Sequence, residues 1–163
     1  MAYSSTLTPT PAAGKGIPFN WFTQLLANTE DINNRATAAF TPTWTNGTLG
    51  NGTLVGRYLK VGKLVYFHLN LTWGTTTSSA GAWTFTLPVT ATANGGGLIR
   101  VGSGECFDSS ATQYWDARCR LASTTTFTVW TGDAAASAVL ATASPFTWAN
   151  NDELHIMGTY EAA

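Results

Sequence analysis

Between residues 64 and 73 the chain alternates strictly, with Val65, Phe67, Leu69, Leu71 and Trp73 on one side and Leu64, Tyr66, His68, Asn70 and Thr72 on the other. Such a run is a strand with a core face. The stretch before it, from Leu54 to Lys60, reads as its antiparallel partner, joined by a two-residue turn at Val61-Gly62 in which Gly62 supplies a positive φ. That turn sets Lys60 opposite Lys63, Tyr58 opposite Val65, Gly56 opposite Phe67 and Leu54 opposite Leu69. On the outer face it sets Leu59 opposite Leu64, Arg57 opposite Tyr66 and Val55 opposite His68. The outer face is then half apolar, whereas the antiparallel sheet of a lone domain usually wets one face. A cover is expected. It is either a neighbouring subunit, with Arg57 and Tyr66 near a local symmetry axis, or the N-terminal segment of the same chain.

The same alternation recurs downstream. "AWTFTLP" sets Trp83, Phe85 and Leu87 against Ala82, Thr84 and Thr86, and Pro88 ends the strand or marks an edge. "QYWDARCRL" sets Trp115, Ala117, Cys119 and Leu121 inward against Tyr114, Asp116, Arg118 and Arg120. "TFTVW" and "DELHIMGTYE" add two more, the last with Leu154, Ile156 and Tyr160 on one face. Seven or eight strands separated by "GTTTSSAG", "ANGGG", "DSSAT" and "GDAAASA" predict an all-β fold, an antiparallel β-sandwich or jelly-roll-like head over residues 40–163. Ahead of it, Pro18 suits a first helical position. Phe22, Leu25, Thr29, Ile32, Ala36 and Ala39 follow at spacings of 3, 4, 3, 4 and 3. Residues 18–39 are therefore a helical segment, either a short coiled coil that oligomerises or docks the chain or an amphipathic helix on its own domain. Asn28 followed by Asp31 also allows a second short helix. Residues 1–17 hold almost no large apolar side chain and read as an extended anchor arm.

Composition sharpens the class. Only 10% of the 163 residues are charged, 44% are hydrophobic, and 28 are threonine, which suits strands better than helix interiors. A net charge of −1, with no basic run, argues against nucleic acid as a partner. No stretch approaches the length of a membrane span, and the first residues lack the pattern of a secretory signal, so a protein made in a cytoplasm is expected. The Asn-x-Thr triplets at Asn46, Asn51 and Asn70 are then turn and strand chemistry. A turn at "DSSAT" places Tyr114 roughly opposite Cys106, so Cys106 and Cys119 read as free buried thiols, with a bridge between other strands left open.

Candidate chemistry is sparse. His68 and His155 sit inside strand patterns without the close spacing of zinc ligands. Ser103 in "VGSGE" lacks the order of a nucleophile elbow. Glu105, Asp108 and Asp116 are the carboxylates that distant segments could pair, and the adjacent Asp152 and Glu153 suit a turn. "ANGGG" lacks the lysine and helix of a phosphate loop. Of the tryptophans, Trp73, Trp83, Trp115 and Trp148 fall in core patterns, whereas Trp44 or Trp130, if exposed, would offer a surface for stacking on a sugar. No catalytic group, cofactor or metal is expected.

"LGNGTLVGRYLKVGKLVYFHLNLTWG", "FTLPV" and "PFTWANNDELHIMGTYEA" resemble small β domains of bacteriophage virion proteins, in particular minor tail or fibre proteins of phages of actinobacteria. The likeness covers residues 40–163 and rests on Gly-Arg-Tyr, three residues, then Gly-Lys, running into an aromatic strand with a later Leu-Pro strand end. It implies a trimeric β head with a structural or adhesive role and no catalytic residues to carry over. Long stalk repeats are absent, which favours a compact surface protein over a fibre. The expected function is a non-enzymatic structural protein of the virion, in a minor tail, receptor-binding or capsid-decoration role. Residues 1–39 would contact other virion proteins, and Phe22, Leu25, Ile32, Arg57, Leu59, Leu64, Tyr66 and His68 would form the homotrimer interface. The alternatives are a carbohydrate-binding module for host-surface glycans and a small hydrolase.

Overall fold

The structure is a computed structural model that describes residues 19–33, 36–93, 99–132 and 138–163, without the side chains of 19–21 and 31–33. The expected arm, the glycines of "ANGGG" and Asp133 to Ser137 of "GDAAASA" lie outside the described residues. The chain divides into two units, Met1–Ala36 and Thr37–Ala163.

The first unit contains one described helix, α1 (Phe19–Asn33). The heptad spacing carries the helix to residue 39, but Ala38–Phe40 form a strand, β1. The reason lies across the sheet. A Cβ on Gly56 would run into the Phe40 ring, so glycine there leaves room for that ring, which also meets Tyr58 edge-on at 6.0 Å. Cross-strand contact of this kind overrides a marginal helical pattern.

The remaining strands are β2 (Trp44–Thr48), β3 (Thr53–Val61), β4 (Leu64–Thr72), β5 (Ser78–Thr86), β6 (Arg100–Asp108), β7 (Gln113–Leu121), β8 (Thr126–Thr131), β9 (Ala138–Val139) and β10 (Glu153–Glu161). Among the described residues they form one antiparallel sheet in the order β1-β3-β4-β10-β6-β7-β8-β5-β2, with β9 on β8. Its two end strands are joined by Thr41–Thr43 alone, and the four steps from Phe40 to Trp44 reach at most about 14 Å. The sheet must therefore curl until its edges approach. The core is sandwich-like, because Phe67 on β4 meets Phe127 on β8 at 5.5 Å and Trp44 on β2 meets Trp73, just past β4, at 5.7 Å. The all-β antiparallel class is thus present, with a single sheet supplying both walls.

The β3–β4 hairpin turns at Gly62-Lys63, one residue later than the pattern suggests. Val61 pairs with Leu64, and Gly62 has φ 59° while Lys63 does not enter the positive region. This is the type II′ arrangement, with glycine at the first central position. The register slides by two residues, so Arg57 faces His68 and Leu59 faces Tyr66. A slide of two preserves the faces, and Val65, Phe67, Leu69 and Leu71 are fully buried as the alternation requires.

"GTTTSSAG" is only partly a loop, since β5 begins at Ser78 and pairs Ser78 and Ser79 with Thr48 and Gly47. Trp44 belongs to the core, edge-on to Trp73 and Trp83 and stacked on Phe85. Each such ring contributes roughly 1.5 to 3 kcal/mol by leaving water. The buried Nε1 atoms of Trp44 and Trp83 have no hydrogen-bond partner among the described residues, a cost set against the packing of the cluster. Cys106 faces Trp115, not Tyr114, and both cysteines are buried free thiols. Burial pushes both thiols up to about 12, Cys106 with help from Cys119 and Glu105.

Candidate functional site

The alternation that fills the core also decides what the outer face of β3, β4, β10, β6 and β7 presents. Reading across the sheet, one row runs Val55, Asn70, His155, Glu105, Asp116, and the next runs Arg57, His68, Met157, Ser103, Arg118. Nearer the hairpin, Leu59 lies beside Tyr66 and Val61 beside Leu64. The face therefore has two zones.

The first zone, on β3 and β4, is apolar. Leu64 is 59% exposed, Val55 55% and Tyr66 38%, and Met157 of β10 continues the zone at 58%. The sheet brings together Arg57, Leu59, Leu64, Tyr66 and His68 of the expected interface, and it adds Val55, Val61 and Met157, which the hairpin reading did not single out as interface. Arg57 and Tyr66 are diagonal neighbours and not opposite one another. The Arg57 guanidinium is instead taken up at the sheet edge, where Nε donates to Thr37 Oγ1 at 3.0 Å and a terminal nitrogen donates to the Thr37 carbonyl at 3.2 Å. In the other unit Phe22 and Leu25 are exposed, as is Leu26, a third apolar side chain outside the heptad positions. The side chain of Ile32 lies outside the described residues.

The second zone, on β10, β6 and β7, is a polar groove of about 950 Å³ bordered by Arg100, Glu105, Asp116, Arg118 and His155, with Tyr66 and His68 at its β4 side. His155 is held on both ring nitrogens, Nε2 2.7 Å from Glu153 Oε2 and Nδ1 3.3 Å from Asn70 Oδ1. Glu105 stands directly opposite Asp116, so two of the three separated carboxylates do meet, on strands and not on loops. Asp108 is elsewhere engaged: Ser110 donates to its carboxylate from both Oγ and backbone, Ala111 adds a second backbone donor, and these bonds hold its pKa below the ordinary value. Asp152 is a buried structural group, its Oδ1 accepting from Ser109 N and Oγ and its Oδ2 from Ala149 N at 2.6 Å. Ser103 has Met157 and Arg118, not a histidine, as its row neighbours.

Neither tryptophan marked as a sugar platform lies open. Trp44 is buried, and half-buried Trp130 carries the Arg120 guanidinium 5.4 Å from its ring centre. Instead, an aromatic pair forms where exposed Tyr114 stacks on half-buried Phe107 at 4.7 Å beside the Glu105–Asp116 row. The sequence signal for it was their alternation with inward residues on either side of "DSSAT". Among the described residues no group of three or more His, Cys, Asp or Glu side chains is gathered for a metal, and no helix is long and apolar enough to cross a membrane. No family model, curated protein or solved structure matches the chain.

Proposed function

We propose that the chain is a non-enzymatic structural protein of a bacteriophage virion, a β head that assembles as a homotrimer and is presented on the particle by its N-terminal region. The observation that carries this reading is the open apolar zone of Val55, Val61, Leu64, Tyr66 and Met157, with half-buried Leu59 among them, on a domain that already has its own buried core. Patches of this kind on an otherwise polar β surface mark contact sites, and a second copy of the same head is the occupant present at equal concentration. The exposed Phe22, Leu25 and Leu26 of α1 give the N-terminal unit an apolar face of its own for docking to other virion proteins. The resemblance to tail and decoration domains agrees with this arrangement and supplies the virion setting. Light scattering of the full chain at micromolar concentration tests the assembly. A trimer mass is expected, falling to a monomer mass in Leu64→Glu, and a monomeric parent protein refutes the reading.

A further inference from the structure

Along β6 and β7 the outward side chains come in facing pairs: Phe107 with Tyr114, Glu105 with Asp116, Ser103 with Arg118, and Arg100 with Arg120. Successive pairs are about 6.7 Å apart. Two carboxylates thus oppose each other, and so do two guanidinium groups, although like charges facing across a sheet destabilise it and opposite charges would stabilise it. Glu105, Asp116 and Arg118 have no ion-pair or hydrogen-bond partner among the described residues. A surface shaped only for stability would mix the signs within each pair. Here the two carboxylates are set together and, with Arg118, left without such partners along a groove that Arg100 also lines, whereas Arg120 lies on the Trp130 ring outside it. The groove fits a ligand that brings the missing donors and acceptors.

We propose that this strip binds an uncharged oligosaccharide, a role beyond that of a displayed head. The two carboxylates and the guanidinium groups of Arg100 and Arg118 cancel within the groove, so a polyanion meets Glu105 and Asp116 and a polycation meets the arginines. A sugar hydroxyl both donates and accepts. One ring can therefore give protons to a carboxylate and accept them from Arg118. The C–H face of a ring needs an apolar plane, and the Phe107–Tyr114 stack supplies it at the end of the strip, with Tyr114 63% exposed. Four pairs span about 20 Å, room for several sugar rings. An extended peptide is disfavoured because β6 is flanked on both sides by paired strands, leaving no sheet edge to hydrogen-bond a peptide backbone.

The test is titration of the full chain, followed by calorimetry and by backbone amide shifts, with maltotetraose, cellotetraose, mannotetraose and chitotetraose. A heparin fragment and oligolysine are run as charged controls. At least one neutral tetrasaccharide should bind saturably with Kd below about 1 mM, shifting amides of β6, β7 and β10. Tyr114→Ala and Asp116→Asn should each weaken it at least tenfold while the amide spectrum of the core strands shows the fold retained. Thr45→Ala, on the far wall, should leave it unchanged. Absence of binding by all four at about 10 mM, tighter binding of either charged control, or indifference to both groove variants overturns the proposal. The core of the strip lies within one chain, so binding is read on monomer or trimer, and a failure here is distinguishable from a failure of the assembly reading.

Discussion

Asp152 shows how one side chain can fasten an end of the head. The residue is 1% exposed, and its carboxylate accepts three hydrogen bonds, two from Ser109 and one from Ala149. It ties the β6–β7 loop to the segment entering β10. Replacement by alanine strands buried donors, and Asp152→Ala should cost about 2 to 4 kcal/mol, read as a lowered urea midpoint; a loss near zero would mean the loops hold each other without it. The thiols give a second expectation. Cys106, Cys119 and the Tyr160 hydroxyl, which donates to the Val89 carbonyl at 2.7 Å, are all raised to about 12, chiefly by burial. A raised acid pKa means the folded state holds its proton longer than the unfolded state. Stability is then full below the ordinary thiol value and falls as pH climbs through about 12. The denaturant midpoint should stay flat through neutral pH and decline from near pH 9, and iodoacetamide should label neither cysteine until the chain unfolds.

At the level of strands, faces were legible in the sequence and registers were not. Period-two alternation is a property of neighbouring residues, so it placed Trp83, Phe85, Ala117, Leu154 and Ile156 inward without knowledge of any partner strand. Register depends on a single turn. Moving the hairpin from Val61-Gly62 to Gly62-Lys63 changed every facing pair and left every face intact. The groove was illegible for the same reason, because the meeting of Glu105 with Asp116 follows from the length of the loop after Asp108 and from no local pattern. Likewise the strand at Ala38–Phe40 depends on a distant contact, the Phe40 ring filling the space above Gly56. These two glycines make a paired prediction. Nothing lies within 4 Å of a Cβ added at Gly62, so Gly62→Ala should cost only the backbone strain of a positive φ, about 1 to 2 kcal/mol. Gly56→Ala must displace the Phe40 ring. In a double-mutant cycle with Phe40→Ala its penalty should largely disappear, whereas the Gly62→Ala penalty should add independently. Additivity at Gly56 would show that the ring is not what requires glycine there.

For the whole molecule, curling one sheet onto itself fills the core with aromatic rings and leaves the outer face to do the remaining work. That closure was hidden from the sequence because it rests on the long-range approach of β1 and β2, whereas the all-β class followed from alternation and threonine content. The outer face then divides between the apolar zone proposed for assembly and the polar strip proposed for binding, with Tyr66, His68 and Met157 between them. The assembly carries a quantitative expectation. If three heads associate as they fold, each tenfold rise in protein concentration adds two association steps of about 1.4 kcal/mol shared among three chains, roughly 0.9 kcal/mol per chain. The urea midpoint of the full chain should therefore climb with concentration. In Leu64→Glu and Met157→Glu the midpoint should lose that dependence, since a charge buried without a partner disfavours the interface. Thr45→Glu, on an exposed position of the far wall, should keep it. Arg57→Ala isolates a different contribution: it removes the bonds to Thr37 that fix the entry to β1, so its midpoint should fall by a similar amount at every concentration. A parent midpoint independent of concentration would leave the apolar zone of β3 and β4 as solvent-facing surface and remove the support for the trimer.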